Sequence, residues 1–341
     1  MRATRDDVAK MAGVSTATVS YVINNKRKVS SDIRQKVLDA VATLNYKPDM
    51  IARSMVTNET MQLGLVLESI SNPFYGEIVH GFENAANEKG YFVNICTGFN
   101  KLDDYFDNFI SRRLDGIFIM AMPPKFHMER VYKLVDHGIK VIMSGNVEAD
   151  LKKVSSIESD YIDAMDTVIE HLVSLGHRDI AFITGLSRNQ KFDLRAAGYL
   201  KALEKHRIGI GDKLLFDGTP PYTTDIEDGV RLTNRLIDSG LGFTAIACLN
   251  DLMAIGAIKA CQQRGLRVPE DISIVGIDGI PFADVWNPPL TTMAVQRLAF
   301  GAKAFELLYA NMRQGNTGFY MNKLHLVVRK STVARTLARI V

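Results

Sequence analysis

The sequence contains few cysteines, and this scarcity excludes several kinds of protein. Only three occur in 341 residues, and Cys96, Cys248 and Cys261 lie far apart without the spacing of a metal site. An odd, scattered set of thiols is typical of a protein kept reduced, not of a disulfide scaffold. We therefore expect free core thiols, no bound metal and no cofactor.

Long apolar runs are missing as well. No uninterrupted hydrophobic segment approaches the roughly 20 residues that cross a bilayer. The first ten residues carry Arg2, Arg5, Asp6, Asp7 and Lys10, which is incompatible with the apolar region of an export signal. The sequence therefore predicts a cytoplasmic protein with no membrane partner.

Common catalytic motifs are also absent. The sequence has no GxSxG, no P-loop, no HExxH and no dinucleotide-type glycine motif. Its seven histidines form no evident metal cluster, and His177 is better explained as a structural loop residue than as a general base. We expect that the protein is not an enzyme.

Residues 8–25, by contrast, have the pattern of two short helices joined by a turn. Thr4 and Asp7 are spaced as a capping box at the start of the first helix. Gly13 allows a sharp turn, and Ser15 can cap the second helix. Apolar residues at helical spacing give these helices and a third one a common core. The expected core residues are Val8, Ala9, Met11, Ala12, Val19, Val22, Ile23, Ile33, Val37, Leu38, Val41 and Leu44.

The second helix turns small polar groups outward, as a helix that enters the major groove of DNA does. An ordinary helical hairpin with solvated outward residues is the alternative. Residues 1–60 carry ten Lys and Arg against six Asp and Glu, a balance of +4, whereas the whole chain has a formal net charge of +3. A basic head on a nearly neutral remainder favours DNA, with an affinity that depends on salt.

From residue 62 onward, apolar strands alternate with amphipathic helices. This alternation predicts a doubly wound α/β core of two flavodoxin-like lobes, with ligands beyond the carboxyl ends of the strands. The expected strands are Gln62–Leu67, Phe92–Cys96, Gly116–Met120, Lys140–Met143, Asp179–Thr184, Thr244–Leu249 and Ile272–Ile277. The expected helices lie near 75–89, 102–113, 127–137, 161–175, 192–206, 225–239, 251–264 and 296–314.

Many short motifs, in this order along the chain, resemble the lactose-repressor family of bacterial transcription regulators. The resemblance covers essentially the whole chain and implies a helix-turn-helix head, a hinge helix and a core that resembles periplasmic sugar-binding proteins. The motifs are Asp7-Val8-Ala9-Lys10, Val14-Ser15-Thr16-Ala17-Thr18-Val19-Ser20, Tyr46-Lys47-Pro48, Ala52-Arg53-Ser54-Met55, Asn72-Pro73-Phe74-Tyr75, Gly176-His177-Arg178-Asp179-Ile180-Ala181, Asn250-Asp251, Val275-Gly276-Ile277-Asp278, Pro289-Leu290-Thr291-Thr292 and Val328-Arg329-Lys330-Ser331.

The family fold implies a division of the chain into three parts. These are a DNA-binding domain at 1–47, a hinge helix and linker at 48–61, and a core at 62–341. Lobe one is expected at about 62–158 and 292–320, and lobe two at about 161–289 and 323–333. The implied unit is a homodimer on a near-palindromic operator, and the tail Thr336–Val341 is too short to add a tetramer-forming coiled coil.

By this resemblance, Thr16, Ala17 and Tyr21 read DNA bases. Ala52, Arg53 and Met55 belong to the hinge helix, where Met55 replaces the leucine that wedges into the minor groove in the family; ordinary linker packing is the alternative for Met55. A solvated loop is the alternative for the basic side chains after the second helix. The residues expected to contact the DNA backbone are Thr4, Ser15, Thr18, Ser20, Asn24, Lys26 and Arg27.

The resemblance also implies an effector cleft between the lobes. Arg195 would offer a fork of donors, Asp278 would accept from hydroxyls or ring nitrogens, and aromatic rings would form walls. The alternatives are a turn residue for Asp278 and core packing for Phe74, and Asp251 is expected to be a helix N-cap. The expected effector-binding residues are Asn72, Phe74, Tyr75, Asp160, Arg195, Tyr222, Asn250 and Asp278.

The predicted function is a repressor that a small molecule controls through this cleft. Asn189 and Lys191 stand where purine-binding members carry arginine and threonine, so we expect a sugar in preference to a purine. A protein co-regulator, and the direction of the effector's action, stay open. A solute-binding protein of the periplasmic type is the alternative function, against which the basic head and the missing export signal argue.

Overall fold

The protein was analysed as a computed structural model, and the chain folds as two units, Met1–Thr60 and Met61–Val341. No helix among the described residues is long and apolar enough to cross a membrane. The structure describes residues 3–23, 27–47, 54, 57–120, 128–145, 149–187, 193–209, 214–219 and 223–335.

The first unit contains the helices α1 (Arg5–Ala12), α2 (Thr16–Ile23) and α3 (Ser31–Thr43). The predicted capping box is present, because Thr4 and Asp7 each accept a hydrogen bond from the backbone N–H of the other. Gly13 ends α1 in the left-handed conformation, with φ of 64°, as the turn requires.

The three helices enclose a small core around Val8, Val19 and Val37, which are fully buried. Two predicted core residues are on the outside instead: Met11 is 52% exposed and Leu38 is 42% exposed. Each is the sequence neighbour of a buried residue, and neighbours on a helix point about 100° apart.

The second unit contains two six-stranded sheets, of which the first forms one lobe. All neighbouring strands in it are parallel, with bulky aliphatic residues buried on both faces. Its strands are β1 (Gln62–Leu67), β2 (Phe92–Thr97), β3 (Gly116–Met120), β4 (Lys140–Ser144), β5 (Ser155–Ser159) and β11 (Phe319–Asn322), in the spatial order β11-β5-β4-β3-β1-β2. Its helices are α4 (Pro73–Glu88), α5 (Leu102–Ser111), α6 (Met128–Asp136) and α12 (Arg297–Gln314).

The second sheet forms the other lobe, and only the pairing of its edge strand with β10 is antiparallel. Its strands are β6 (Ile180–Ile183), β7 (Leu215–Phe216), β8 (Ala245–Cys248), β9 (Ser273–Asp278), β10 (Thr291–Ala294) and β12 (His325–Val327), in the order β12-β10-β9-β8-β6-β7. Its helices are α7 (Tyr161–Ser174), α8 (Leu194–Lys205), α9 (Ile226–Asp238), α10 (Asp251–Gln263) and α11 (Phe282–Val285).

The predicted fold class is confirmed, but one lobe boundary differs from expectation. The family resemblance implies that this part of the second lobe ends at about residue 289 and that the first lobe resumes at about residue 292. The strand β10 instead pairs with β9 of the second lobe along its whole length, from Thr291 to Ala294. The chain therefore passes into the first lobe only after Ala294.

The chain passes between the lobes three times, and each passage starts at the carboxyl end of a strand. The strand β5 leads into α7, β10 leads into α12, and β11 leads into β12. The carboxyl edges of both sheets therefore meet where the lobes join, which is where doubly wound folds bind ligands.

Within each lobe, two helices cross at a glycine pair. A Cβ on Gly81 of α4 would lie 2.0 Å from the carbonyl oxygen of Leu298, and one on Gly301 of α12 would lie 2.0 Å from that of Ile78. In the second lobe, a Cβ on Gly256 would lie 2.1 Å from the carbonyl oxygen of Ile226. The helix pairs pack backbone to backbone, and no larger side chain fits at these positions.

His177 is a structural residue, as expected. Its ring is buried in the second lobe, where Nδ1 bonds the Thr244 hydroxyl at 2.9 Å and Nε2 donates to the Val333 carbonyl at 3.0 Å. Burial lowers its pKa, so the ring is held neutral between these two partners.

Candidate functional site

The outward surface of α2 carries the predicted base-reading residues. Thr16 and Ala17 are exposed, whereas Tyr21 is half-buried. The Arg27 guanidinium lies 5.0 Å from the centroid of the Tyr21 ring, within cation–π distance. This contact holds a cation beside the ring.

Hydroxyl groups at the start of these helices are already bonded within the head. The Ser15 hydroxyl accepts from the Thr18 backbone N–H at 3.2 Å and bonds the Thr18 hydroxyl at 2.9 Å. The Thr4 hydroxyl donates to the Asp7 carboxylate at 2.7 Å. These hydrogen bonds fix the N-terminal ends of α1 and α2, and Ser20 is half-buried on α2.

Several predicted site residues lie outside the described residues. They are Asn24, Lys26, Ala52, Arg53, Met55 and Tyr222, together with Asn189 and Lys191, which contributed to the expectation of a sugar.

Three of the predicted effector-binding residues are helix caps at the carboxyl edges of the sheets. Asn72 accepts from the backbone N–H of Phe74 at the start of α4, and Asp160 accepts from that of Asp163 at the start of α7. Asn250 caps α10 through the Met253 backbone N–H at 2.8 Å. The Asn250 side-chain amide also donates to the carbonyl of Thr224 at 2.9 Å, so both ends of this side chain are occupied.

The expectation that Asp251 is the N-cap of α10 is wrong by one residue. Asn250 has extended backbone and holds the cap, and Asp251 is the first helical residue. The buried Asp251 carboxylate accepts from the Thr292 hydroxyl at 2.6 Å and from the Ile280 backbone N–H at 2.8 Å. It therefore fixes the turn that follows β9.

Four side chains meet at the junction of the lobes: Tyr75 from the first lobe, and Tyr161, Arg195 and Asp278 from the second. The Arg195 guanidinium stacks on the Tyr161 ring, with its central carbon 3.8 Å from the ring centroid. Arg195 and Asp278 both act electrostatically on the Tyr75 hydroxyl. Phe74 packs edge-on against Tyr75, with ring centroids 5.4 Å apart, and stays half-buried.

Burial and neighbouring charges shift the pKa values of the side chains in this cluster. Burial raises the pKa of Asp278 well above its usual range against the pull of Arg195, with Asp251 adding to the rise. Burial raises the pKa of Tyr75 and of Tyr161. Burial alone would lower the pKa of Arg195, but Tyr161, Asp278 and Asp193 together raise it. The Arg195 Nε has no hydrogen-bond partner among the described residues, so the cluster offers an unused donor beside a buried acid.

Asp278 also has unusual backbone. Its φ is 120°, in a region that residues with a side chain rarely adopt. Such strain persists only when the surroundings impose it, and it is typical of functional sites. The strained backbone places the Asp278 carboxyl group at the end of β9, at the junction.

The sequence patterns did not predict Tyr161, a member of this cluster, or Arg297, which lies beside it. Tyr161 directly follows the predicted Asp160, and an aromatic residue just after a strand at a lobe crossing was the available signal. Arg297, the first residue of α12, contacts both lobes through its guanidinium group. No local pattern points to it, because its partners are distant in the sequence.

Comparison with known proteins agrees with these observations. Residues 4–49 match the model of bacterial regulatory proteins of the lacI family, and residues 169–332 match a periplasmic binding protein-like domain. The chain is 34% identical over 337 residues to the HTH-type transcriptional repressor PurR of Mannheimia succiniciproducens. The aligned region covers 96% of this chain and 98% of that protein.

Solved structures of regulators share the fold over nearly the whole chain. The lac repressor dimer bound to operator and the anti-inducer ONPF superposes with a TM-score of 0.84 at 28% identity, covering 98% of this chain and 100% of that one. The complex of the transcriptional regulator CelR with cellobiose superposes with a TM-score of 0.72 at 25% identity. The match covers 97% of this chain and 100% of the CelR chain.

A helix-turn-helix unit joined to a two-lobed α/β core defines a DNA-binding regulator with an effector-binding domain. The chain belongs to the lacI family of bacterial regulatory proteins. It is a DNA-binding transcriptional repressor, and its relatives confirm that it is not an enzyme.

Proposed function

We propose that this repressor binds a near-palindromic operator as a homodimer and that a small neutral molecule, a sugar, controls it from the junction of the lobes. The cluster of Tyr75, Tyr161, Arg195 and Asp278 carries this proposal. It joins hydrogen-bond donors, a carboxyl group and aromatic rings in one place, at the carboxyl edges of both sheets.

On the DNA side, the exposed start of α2 supports the proposal. Thr16 can donate to and accept from base edges, and the Ala17 methyl group can touch a thymine methyl. Tyr21 reaches one turn further along the helix and is held by Arg27. Two such helices on a two-fold axis require a two-fold symmetric site on DNA.

We expect Tyr21→Ala to change which sequences the repressor prefers while leaving non-specific binding in place, because base contacts carry specificity and phosphate contacts carry the rest. The measurement is selection of operators from a random duplex library, with wild type and variant in parallel. Wild type should select near-palindromes, and the loss at its best site should be about 10-fold, the scale of a lost base contact of 1–3 kcal/mol.

Lys28→Ala is the matched control for this experiment. It removes an exposed cation next to Arg27 and should weaken binding to all duplexes about equally. If Tyr21→Ala also weakened all sequences equally, Tyr21 would not be a base-reading residue. If wild type selected asymmetric sites, the homodimer proposal would be wrong.

On the effector side, the chemistry of the cluster fits a polyol. A carboxyl group accepts hydrogen bonds from adjacent hydroxyls, Arg195 donates to their oxygens, and the Tyr75 and Phe74 rings pack against the C–H face of a sugar. Arg195 and Asp278 form a cation and an acid within the same cluster, so no unpaired positive charge favours a phosphate group. The structural similarity to a regulator bound to cellobiose supports the same class of ligand.

A purine base is the second candidate effector. The 34% identity to a repressor named PurR favours it, and the same carboxyl group and aromatic rings can bind a flat heterocycle through its ring N–H groups. The two candidates differ in how they would use the site: a purine would stack its flat ring on an aromatic side chain, whereas a sugar needs several donors and acceptors around its rim.

A further inference from the structure

The guanidinium of Arg297 joins the two lobes beside Asp278. Arg297 begins α12, which packs on α4 of the first lobe, and its Nη2 forms an ion pair with the Glu77 carboxylate on α4 at 2.8 Å. Its Nη1 donates to the backbone carbonyl of Asp278 at 2.8 Å and also to that of Gly279, both in the second lobe. One side chain thus holds a carboxylate of one lobe and two carbonyls of the other.

The environment makes this bridge strong. Arg297 is only 7% exposed, and its Nε has no hydrogen-bond partner among the described residues. Charge-assisted bonds are roughly twice as strong as neutral ones, and removing one partner of a buried set leaves the others unpaired. Opening the bridge therefore leaves the buried Arg297 guanidinium and the carbonyl of buried Asp278 without these hydrogen bonds, whereas the half-exposed Glu77 carboxylate can bond water instead.

The turn that Arg297 holds is also fixed from within its own lobe. The Gly279 N–H donates to the Thr292 hydroxyl at 3.3 Å, and the Asp251 carboxylate accepts from Ile280. A Cβ on Gly279 would lie 2.6 Å from that of Ala294. Arg297 links this turn to the first lobe through Glu77. The first residue of the turn, Asp278, has strained backbone.

We propose that Arg297 is an interlobe latch: it holds the lobes together at the Asp278–Gly279 turn and positions the Asp278 carboxyl group for the effector. It is a positioning residue, because it acts on the carboxyl group through the backbone. Opening the cleft breaks the two carbonyl bonds, so effector binding and lobe arrangement are coupled at this side chain. The consequence for the effector rests on the proposed function, whereas the latch itself does not.

The latch can be tested without any effector by measuring the distance between the lobes. Spin labels are placed on exposed helix positions of each lobe, Asp104→Cys on α5 and Lys201→Cys on α8, with Cys96→Ala in the background. Labelled full-length chains are diluted with unlabelled ones, so that pulsed electron paramagnetic resonance reports distances within one chain. We expect one narrow distance distribution.

Arg297→Met removes the bridge but keeps an unbranched buried side chain, and the distribution should broaden and shift by more than about 2 Å, the scale of a domain rearrangement. Arg297→Lys keeps a cation for Glu77 and one carbonyl, and should restore most of the narrow distribution. Arg329→Met is the matched control, because Arg329 also joins a carboxylate, Asp284, to a carbonyl, Leu290, but both lie in the second lobe.

An unchanged distribution in folded Arg297→Met protein would overturn the latch, as would an equal shift in Arg329→Met. If Arg297→Met fails to fold, Glu77→Gln replaces it. Glu77 is partly exposed, and its loss should broaden the distribution in the same direction. A wild-type distribution in Glu77→Gln would then overturn the proposal.

Discussion

Asp278→Ala should no longer respond to the effector, while its operator affinity in the absence of effector stays within about twofold of wild type. The carboxyl group lies in the lobe junction, whereas the groups expected to contact DNA belong to the head. Leaving the partners of a buried carboxyl group without their hydrogen bonds costs about 1–3 kcal/mol, so effector affinity should fall about 10-fold. Operator binding is measured by fluorescence anisotropy with and without the effector.

Asp284→Ala provides the control for this result. Asp284 is an exposed carboxylate of the same lobe that pairs with Arg329, and its loss should leave the effector response intact. An Asp278→Ala protein that responds to effector as wild type does would remove Asp278 from the site. A variant that loses operator binding without effector would show that Asp278 acts on folding instead.

The second large effect concerns the glycine crossing of α4 and α12. Gly81→Ala places a Cβ 2.0 Å from the Leu298 carbonyl oxygen, and backbone cannot yield as the end of a side chain does. Overpacking of this kind typically costs about 1–3 kcal/mol and occasionally more. We expect Gly81→Ala to lose about 2 kcal/mol or more of unfolding free energy, measured by urea denaturation at fixed protein concentration.

The same helix supplies an opposite control. Gly76 lies five residues earlier on α4, and a Cβ there would meet no atom within 4 Å. Alanine is the better helix former, so Gly76→Ala should gain about 0.5–1 kcal/mol. A loss of unfolding free energy at Gly81 together with a gain at Gly76 would support the close helix crossing. A loss of equal size at both positions would contradict it.

Much of this fold could be predicted from the sequence because strong patterns agree with its local structure. All seven predicted strands are present, because runs of apolar residues are typical of parallel strands that are buried on both faces. The short strands β7, β10, β11 and β12 were not predicted. The strand β5 was missed because its sequence, Ser155–Ser159, is mostly polar. It is nevertheless buried, and its polar groups bond one another: the Ser156 hydroxyl donates to the Glu158 carboxylate, which also accepts from the Gly145 backbone N–H.

The site was less predictable because its decisive contacts are not local. The exchange of roles between Asn250 and Asp251 could not be resolved from the sequence, since both residue types cap helices. Asn250 holds the cap because the Asp251 carboxylate is occupied elsewhere: it accepts a hydrogen bond from the hydroxyl of Thr292, far along the chain. Arg297 likewise gained its role only when the fold brought α4 and the turn after β9 to its guanidinium.

The most direct test of the central claim, that a small molecule in the lobe junction controls this repressor, is thermal unfolding in the presence of candidate effectors. The panel contains ribose, cellobiose, sucrose, hypoxanthine and guanine, tested on wild type and on Asp278→Ala. A ligand at about 100 times its dissociation constant adds roughly 2.7 kcal/mol of stability, a readily visible shift. We predict a shift by a sugar that disappears in Asp278→Ala. A shift by a purine alone would replace the sugar proposal, and a shift that persists in Asp278→Ala would contradict the site itself.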